Sequence, residues 1–276
     1  MAAGQHGSEN YETLLIERPE PGIVVLRLNR PDRLNALVPA TVREIHHAFE
    51  TLAKDETCRV VVLTGAGRGF CAGMDIKASV QRQGDAGYGV VRKMQSQEAF
   101  AGMVQRMRAM PQVVIAAVNG PAAGAGFGLA LAAEMRIAAT SAKFLVASVR
   151  IGLTAGECGI SYHLPRLIGT ARAFQVMLTG RPIESDEAEH CGLVSKVVAD
   201  DELMPSALDL ARAVLANSPF SIRQTKQMIW TNLEAPSLDA ALAVENRAQI
   251  LATFTDDFKE ATRAFSEKRA PNFTGS

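Results

Sequence analysis

The hydrophobic positions follow two periodicities along the first two hundred residues. Continuous apolar runs predict buried strands at residues 59–63, 113–118 and 136–139, and a hairpin joining residues 14–17 to 23–28 through the turn at Pro21 and Gly22. Between these runs apolar residues recur at helical spacing, which predicts helices around residues 42–52, 90–107 and 127–134. Strands that alternate with helices predict an α/β fold whose helices pack outside a mostly parallel sheet or spiral.

The pattern changes near Asp201, after which only helical spacing continues. It predicts helices at residues 203–216, 221–231, 238–253 and 257–268. We therefore divide the chain into an α/β core at residues 11–200 and a helical region at 201–276. Residues 1–10 have neither a basic segment nor an apolar segment of a signal peptide, and we expect them to form a disordered leader.

Composition and charge exclude several classes of function. The 276 residues contain 29 Lys plus Arg and 29 Asp plus Glu, so no net field draws the protein to nucleic acid or to an anionic membrane. The four cysteines are scattered without a C-x-x-C pair or a histidine at zinc-ligand spacing. We expect a cytoplasmic protein that acts on a small molecule and holds no metal.

One uncharged segment requires comparison with a membrane span. Residues 109–133, which lie between Arg108 and Glu134, contain no charged residue. They are long enough to cross a bilayer. Their middle reads N-G-P-A-A-G-A-G, and such a loop would leave backbone polar groups unpaired in lipid. A strand, a glycine loop and a buried helix explain the segment better.

Two segments share one physical plan, in which a buried strand opens into a glycine-bearing turn. Residues 60–65 lead to F-C-A-G-M-D at 70–75, and residues 113–118 lead to the glycine loop at 119–126. Glycine turns can point unpaired N–H groups at a ligand, and a following helix adds its positive end. Two converging N–H groups can stabilise the oxygen of a thioester enolate.

Two other interpretations of these loops stay open at this point. The glycines can serve tight turns and close helix packing alone. The run from Gly124 to Gly128 also resembles a dinucleotide loop, but its third glycine comes too early for G-x-G-x-x-G. No acidic residue ends a second strand about twenty positions later, which disfavours a nucleotide-dependent oxidoreductase.

Ordered motifs along nearly the whole chain resemble those of the crotonase (enoyl-CoA hydratase/isomerase) superfamily. They are L-N-R-P at 28–31, L-N-A-L at 34–37, T-G at 64–65, F-C-A-G-M-D-I-K at 70–77, N-G-P-A at 119–122, L-T-G at 178–180, Ala188 with G-L-V at 192–194, and F-S-E-K-R at 265–269. The resemblance implies a crotonase-like spiral of ββα units with a C-terminal helical trimerisation region. A homotrimer or a dimer of trimers would follow.

The resemblance also implies which residues bind an acyl-CoA thioester. The backbones of Met74 and Ala125 would form the oxyanion hole. Coenzyme A enters only as part of the substrate, so no separate cofactor is expected. Its site would be lined by Asp32, Arg33, Leu34, Ala36, Ala72, Asp75, Ile76 and Lys77, with Phe265 and Lys268 approaching from the end of the chain, either of the same subunit or of a neighbour.

The sequence departs from the family where a hydratase has its two glutamates. Those positions hold Gly128 and Ser148, which we expect to line the substrate pocket with Gly126. Glycine has no proton to move and serine is a poor base, so the sequence disfavours hydration by two glutamates. Glu157 lies among apolar and glycine residues, in a loop comparable to one that carries an acidic residue in some dienoyl-CoA isomerases.

Glu157 therefore becomes the candidate proton shuttle. Its apolar surroundings should raise its pKa, and one carboxylate can move a proton between two carbons without water. We expect double-bond isomerisation or atypical hydration of an enoyl-CoA in lipid catabolism. Two alternatives remain: Glu157 can cap the next helix or pair with Arg150 or Arg166, and the protein can be an acyl-CoA binder without catalytic activity.

Overall fold

The computed structural model describes residues 11–78 and 89–276. The predicted leader at residues 1–10 lies outside the described residues. The chain begins with the predicted hairpin, in which β1 (Leu14–Glu20) and β2 (Gly22–Leu28) pair antiparallel through a turn at Pro21. Apolar residues of β2 are buried on both faces, because further strands and helices cover it.

The predicted parallel sheet follows from β2. It continues through β3 (Cys58–Gly65) and β4 (Val113–Val118). Helices α1 (Pro39–Lys54) and α2 (Val90–Ala109) make the connections, and both predicted helices are confirmed. All six residues of β4 are buried, which explains its unbroken apolar run.

Three very short strands form a second sheet that the periodicity does not predict. Strand β5 (Pro121–Ala123) pairs in parallel with β7 (Lys143–Leu145), which pairs antiparallel with β8 (Ile183–Glu184). Between them α3 (Ala125–Ala132) is buried along its whole length, and β6 (Met135–Ala139) returns the chain to the main sheet. Residues 109–133 are therefore divided among strand, loop and buried helix, as predicted.

The remaining elements complete the core and the helical region. They are α4 (Ile160–Ile168), α5 (Thr170–Thr179), α6 (Ser185–His190), β9 (Lys196–Val198), α7 (Leu203–Leu215), α8 (Pro219–Asn232), α9 (Leu238–Thr253) and α10 (Asp256–Glu267). The main sheet has the order β1-β2-β3-β4-β6-β9. Helix α7 covers one face of it, with Leu203, Ala207 and Ala211 packed against β2, β3 and β4.

The last two helices expose large apolar side chains. Phe254 is 76% exposed between them, and Leu251 and Phe258 are exposed nearby. Such a surface is compatible with the predicted trimerisation, which stays a prediction. In the part of the chain that the structure describes, no helix combines the length and the apolar character that crossing a membrane requires.

A buried ionic cluster fixes α8 to the core. The ammonium of Lys226 lies 2.7 Å from the Gln112 carbonyl and 3.2 Å from the Glu134 carboxylate. The same carboxylate accepts hydrogen bonds from the Trp230 indole at 2.8 Å and the Val114 N–H at 2.8 Å. Burial lowers the pKa of Lys226, and the charge of Glu134 opposes that shift. Removing one partner of such a pair leaves the other charge buried.

We expect Lys226→Met to lower the free energy of unfolding by about 3 kcal/mol, because Glu134 loses its cation while its side chain stays only 15% exposed. Urea denaturation at one protein concentration measures the change. Lys54→Met is the matched control, since its ion pair with Glu50 is exposed and should contribute less than about 1 kcal/mol. Equal changes in the two variants would contradict the role of the cluster.

Candidate active site

Four segments of the chain lie side by side at one end of the sheet. Leu37 forms a parallel bridge with Met74, and Cys71 forms one with Ala122 in β5. Strand β5 pairs with β7, which leads directly into a 3-10 turn at Ala147–Ile151. These local pairings bring together residues that are far apart in sequence, and they build the site from loops at strand ends.

The loop carrying Met74 is held by backbone hydrogen bonds on both sides of that residue. The Ala72 N–H donates to Leu34 at 2.9 Å, the Leu37 N–H donates to Gly73 at 2.7 Å, and the Asp75 N–H donates to Leu37 at 3.0 Å. Within residues 11–78 and 89–276, no acceptor is recorded for the Met74 N–H. Its availability to a ligand, which the sequence predicts, stays a prediction.

Ala125 supplies the second candidate donor as the first residue of α3. Its N–H has no recorded acceptor in the described ranges, as expected for the first turn of a helix. An ideal Cβ built on Gly73 would lie 3.3 Å from the Ala125 nitrogen and 2.6 Å from the Ala123 carbonyl oxygen. The two loops thus approach closely because Gly73 has no side chain, and the positive end of α3 favours an anion there.

The Glu157 carboxylate lies beside the Ala125 end of the helix. An ideal Cβ on Gly124 would be 3.1 Å from Oε1 of Glu157 and 3.6 Å from Oε2. The Ser148 hydroxyl donates a hydrogen bond to Oε1. The structure therefore brings Ser148 and Glu157 into direct contact next to the predicted oxyanion-hole residue Ala125, a pairing that the sequence spacing alone does not reveal.

Glu157 makes neither of the structural contacts that the sequence leaves open. Helix α4 has Gly159 as its N-cap and no side-chain cap, and no ion pair of Glu157 is found among the described residues. Arg166 instead stacks on the Tyr162 ring at 3.7 Å. Burial raises the pKa of Glu157, and the Ser148 hydrogen bond opposes the rise. A raised pKa suits a group that accepts and returns a proton near neutral pH.

Gly126 and Gly128 are both buried against cysteines. An ideal Cβ at Gly126 would lie 2.3 Å from the Cys71 carbonyl oxygen, and one at Gly128 would lie 2.7 Å from both Cβ and the carbonyl oxygen of Cys158. Cys158 itself has a φ of 47°, an unusual value for a residue with a side chain. Packing of Cys158 thus fills the place where a side chain at position 128 would begin.

The predicted coenzyme A segments meet at the loop of residues 31–37. Asp32 and Arg33 are exposed in a 3-10 turn, and Leu34 takes a φ of 48°. The Arg30 guanidinium donates to the Ala36 carbonyl and lies 3.2 Å from the Asp75 carboxylate. These contacts join the segment to Ala72 and Asp75, with exposed Ile76 and Lys77 immediately after them.

Phe265 and Lys268 lie elsewhere on the subunit, at the end of α10. Phe265 is 87% exposed, and Lys268 ends the helix with a φ of 53°. The start of α10 is fixed by a hydrogen bond at 2.8 Å from Ser218 to Asp257. No contact within the described ranges joins Phe265 or Lys268 to the other site residues. That these two residues approach the coenzyme A site of a neighbouring subunit stays a prediction.

Comparison with known proteins agrees with this fold. Residues 18–276 match the family model described as enoyl-CoA hydratase/isomerase. A probable enoyl-CoA hydratase of Mycobacterium tuberculosis is 42% identical over 263 residues, which cover 95% of this chain and 92% of that protein. The 1,2-epoxyphenylacetyl-CoA isomerase of Escherichia coli is 38% identical over 265 residues, covering 95% and 98%.

A solved structure gives the same result for the fold. The crystal structure of a probable enoyl-CoA hydratase/isomerase from Mycobacterium abscessus superimposes with a TM-score of 0.88 at 39% identity, covering 96% of this chain and 100% of that one. The fold is that of the crotonase superfamily, as the sequence motifs predict. The chain belongs to the enoyl-CoA hydratase/isomerase family and is an enzyme of that family.

Proposed function

We propose that the protein isomerises the double bond of an enoyl-CoA thioester in lipid catabolism, with Glu157 as the proton shuttle. One observation carries the proposal. The Glu157 carboxylate lies against Gly124, one residue before the Ala125 donor, while positions 128 and 148 carry no carboxylate. The relative from E. coli is named an isomerase and the one from M. tuberculosis a probable hydratase, so the names alone do not choose the reaction.

The proposed reaction converts a 3-enoyl thioester into the conjugated 2-enoyl thioester. Glu157 removes a proton from C2, and the electron pair of that C–H bond forms a C1–C2 double bond as the π pair of the carbonyl moves onto its oxygen, which gives a dienolate. Negative charge develops on the thioester oxygen, where the N–H groups of Met74 and Ala125 stabilise it. Protonated Glu157 then delivers its proton to C4, where the C3–C4 π pair forms the new C–H bond. The C1–C2 pair becomes the C2–C3 double bond and the carbonyl reforms, so atoms and charge balance without water.

Hydration needs a different set of groups. One residue must activate a water molecule for attack at C3 while another delivers a proton to C2. Ser148 instead uses its hydroxyl to donate to Glu157, and Gly128 is packed against Cys158. One carboxylate beside the oxyanion-hole residues therefore favours proton transfer between carbons over addition of water.

The test supplies 3-enoyl-CoA and 2-enoyl-CoA thioesters of short and medium chain length to the purified enzyme. We expect conversion of the 3-enoyl thioester to the conjugated product, detected by its ultraviolet absorbance and by chromatography. In H₂¹⁸O, 2-enoyl thioesters should give little labelled 3-hydroxyacyl-CoA. Dominant formation of that labelled product would contradict isomerisation, and acyl-CoA binding without any turnover would favour the binding protein considered above.

A further inference from the structure

Ser148 is a polar residue that is buried in contact with Glu157, although its own side chain is not an acid. It is only 8% exposed, and it lies in the 3-10 turn Ala147–Ile151. Its carbonyl accepts a hydrogen bond of 3.0 Å from Leu153, and Gly152 ends the turn with a φ of 79°. The backbone of Ser148 thus shapes the beginning of the segment that leads to Glu157.

Among the described residues, the Ser148 hydroxyl is the side-chain group that forms a hydrogen bond with the Glu157 carboxylate. It binds Oε1, and the structure records no second partner for the carboxylate in residues 11–78 and 89–276. The neighbouring titratable group is Cys158. Its burial, together with the charge of Glu157, raises the pKa of the thiol to about 12, so the thiol stays neutral. The charged Arg150 on the turn of Ser148 lies against Gly180. The segment of α3 facing Glu157 has no charged residue.

The single hydrogen bond from Ser148 to Oε1 has two consequences for the Glu157 carboxylate. It fixes the carboxylate plane and leaves Oε2, 3.6 Å from an ideal Cβ on Gly124, without a hydrogen-bond partner among the described residues. It also stabilises the ionised form of a carboxylate that burial destabilises. Both effects depend on the hydroxyl group, and neither depends on the packing volume of the side chain.

We propose that Ser148 is a positioning residue for Glu157: its hydroxyl holds Oε1 so that Oε2 can receive and return the substrate proton. This inference rests on the proposed isomerase function. It assigns a purpose to the serine found where a hydratase has its second glutamate, because the hydroxyl there supports a carboxylate that comes from position 157 instead.

The test compares Ser148→Ala with Ser148→Thr in steady-state isomerisation as a function of pH. We expect Ser148→Ala to lower kcat by up to about 100-fold, since the carboxylate loses its fixed orientation, with KM changed much less. The acid limb of the pH profile should move to higher pH, because the ionised carboxylate loses a donor. Ser148→Thr keeps the hydroxyl and should restore most of kcat and the original limb.

A direct readout separates this inference from the proposed function. Difference infrared titration, with Glu157→Gln identifying the carboxyl band, follows protonation of Glu157 in the absence of turnover. We expect the Glu157 titration to shift to higher pH in Ser148→Ala and not in Ser148→Thr. An unshifted titration together with an unchanged kcat would overturn the role of Ser148, whereas full activity in Glu157→Gln would overturn the isomerase proposal itself.

Discussion

Glu157→Gln is expected to lower kcat for 3-enoyl-CoA isomerisation by about 10²–10⁴-fold, the usual contribution of general acid–base catalysis. The amide has nearly the same shape, and its oxygen can still accept the hydrogen bond from Ser148. It cannot take the C2 proton at neutral pH. Binding of the substrate should therefore persist while proton transfer stops, and single-turnover kinetics with an independent binding measurement can separate the two.

An exposed glutamate provides the control for this substitution. Glu202 lies in the 3-10 turn Asp200–Glu202 before α7, far along the chain from the site loops, and it is exposed. Glu202→Gln should keep the kcat of the unaltered enzyme. Retention of more than about a tenth of the activity in Glu157→Gln would assign the proton transfer to another group.

Gly73→Ala is expected to lower kcat by about 10²–10³-fold, the effect of losing one oxyanion-hole donor. Gly73 has a φ of 79°, and its added Cβ would lie 2.6 Å from the Ala123 carbonyl oxygen. The loop must move to relieve this overlap, and it carries the Met74 N–H with it. Because the added methyl would also be 3.3 Å from the Ala125 nitrogen, both donors are affected.

Gly169→Ala separates this effect from backbone strain. Gly169 has the same φ of 79°, lies between α4 and α5, and has no atom within 4 Å of an ideal Cβ. Both alanines are strained, but only the one at position 73 collides with the second loop. Thermal unfolding should show destabilisation in both variants, and more of it in Gly73→Ala because of the collision with Ala123, whereas isomerase assays should show a large loss in Gly73→Ala alone. Similar kcat values in the two variants would contradict the oxyanion role of the Met74 loop.

Periodicity predicted the longer elements because their burial is regular. Strand Val113–Val118 and helix Leu238–Thr253 have the predicted bounds. The sequence pattern did not predict the three-residue strands Pro121–Ala123 and Lys143–Leu145. Three residues are too few to show a hydrophobic periodicity, and the pairing of these strands depends on segments distant in sequence. Part of the predicted glycine loop is therefore strand.

The candidate site was only partly accessible to the same reasoning. Glycines near Met74 and Ala125 indicated exposed backbone donors, because glycine permits close approach of two chains. The contact of Ser148 with Glu157 depends on the turn between them, whose conformation no residue pattern specified. Likewise, no sequence pattern around Glu134 predicted its contacts with buried Lys226 and with Trp230.

The packing of Gly128 against Cys158 also limits the order in which mutations could convert this site. A glutamate introduced at position 128 would begin with its Cβ 2.7 Å from the Cys158 carbonyl oxygen, a backbone atom that cannot rotate away. The loop around Cys158 must therefore change before an acid at position 128 becomes tolerable. Positions 128 and 158 are therefore epistatic. Substitutions in the loop around Cys158 have to come before a glutamate at position 128 on any mutational path to a two-glutamate site.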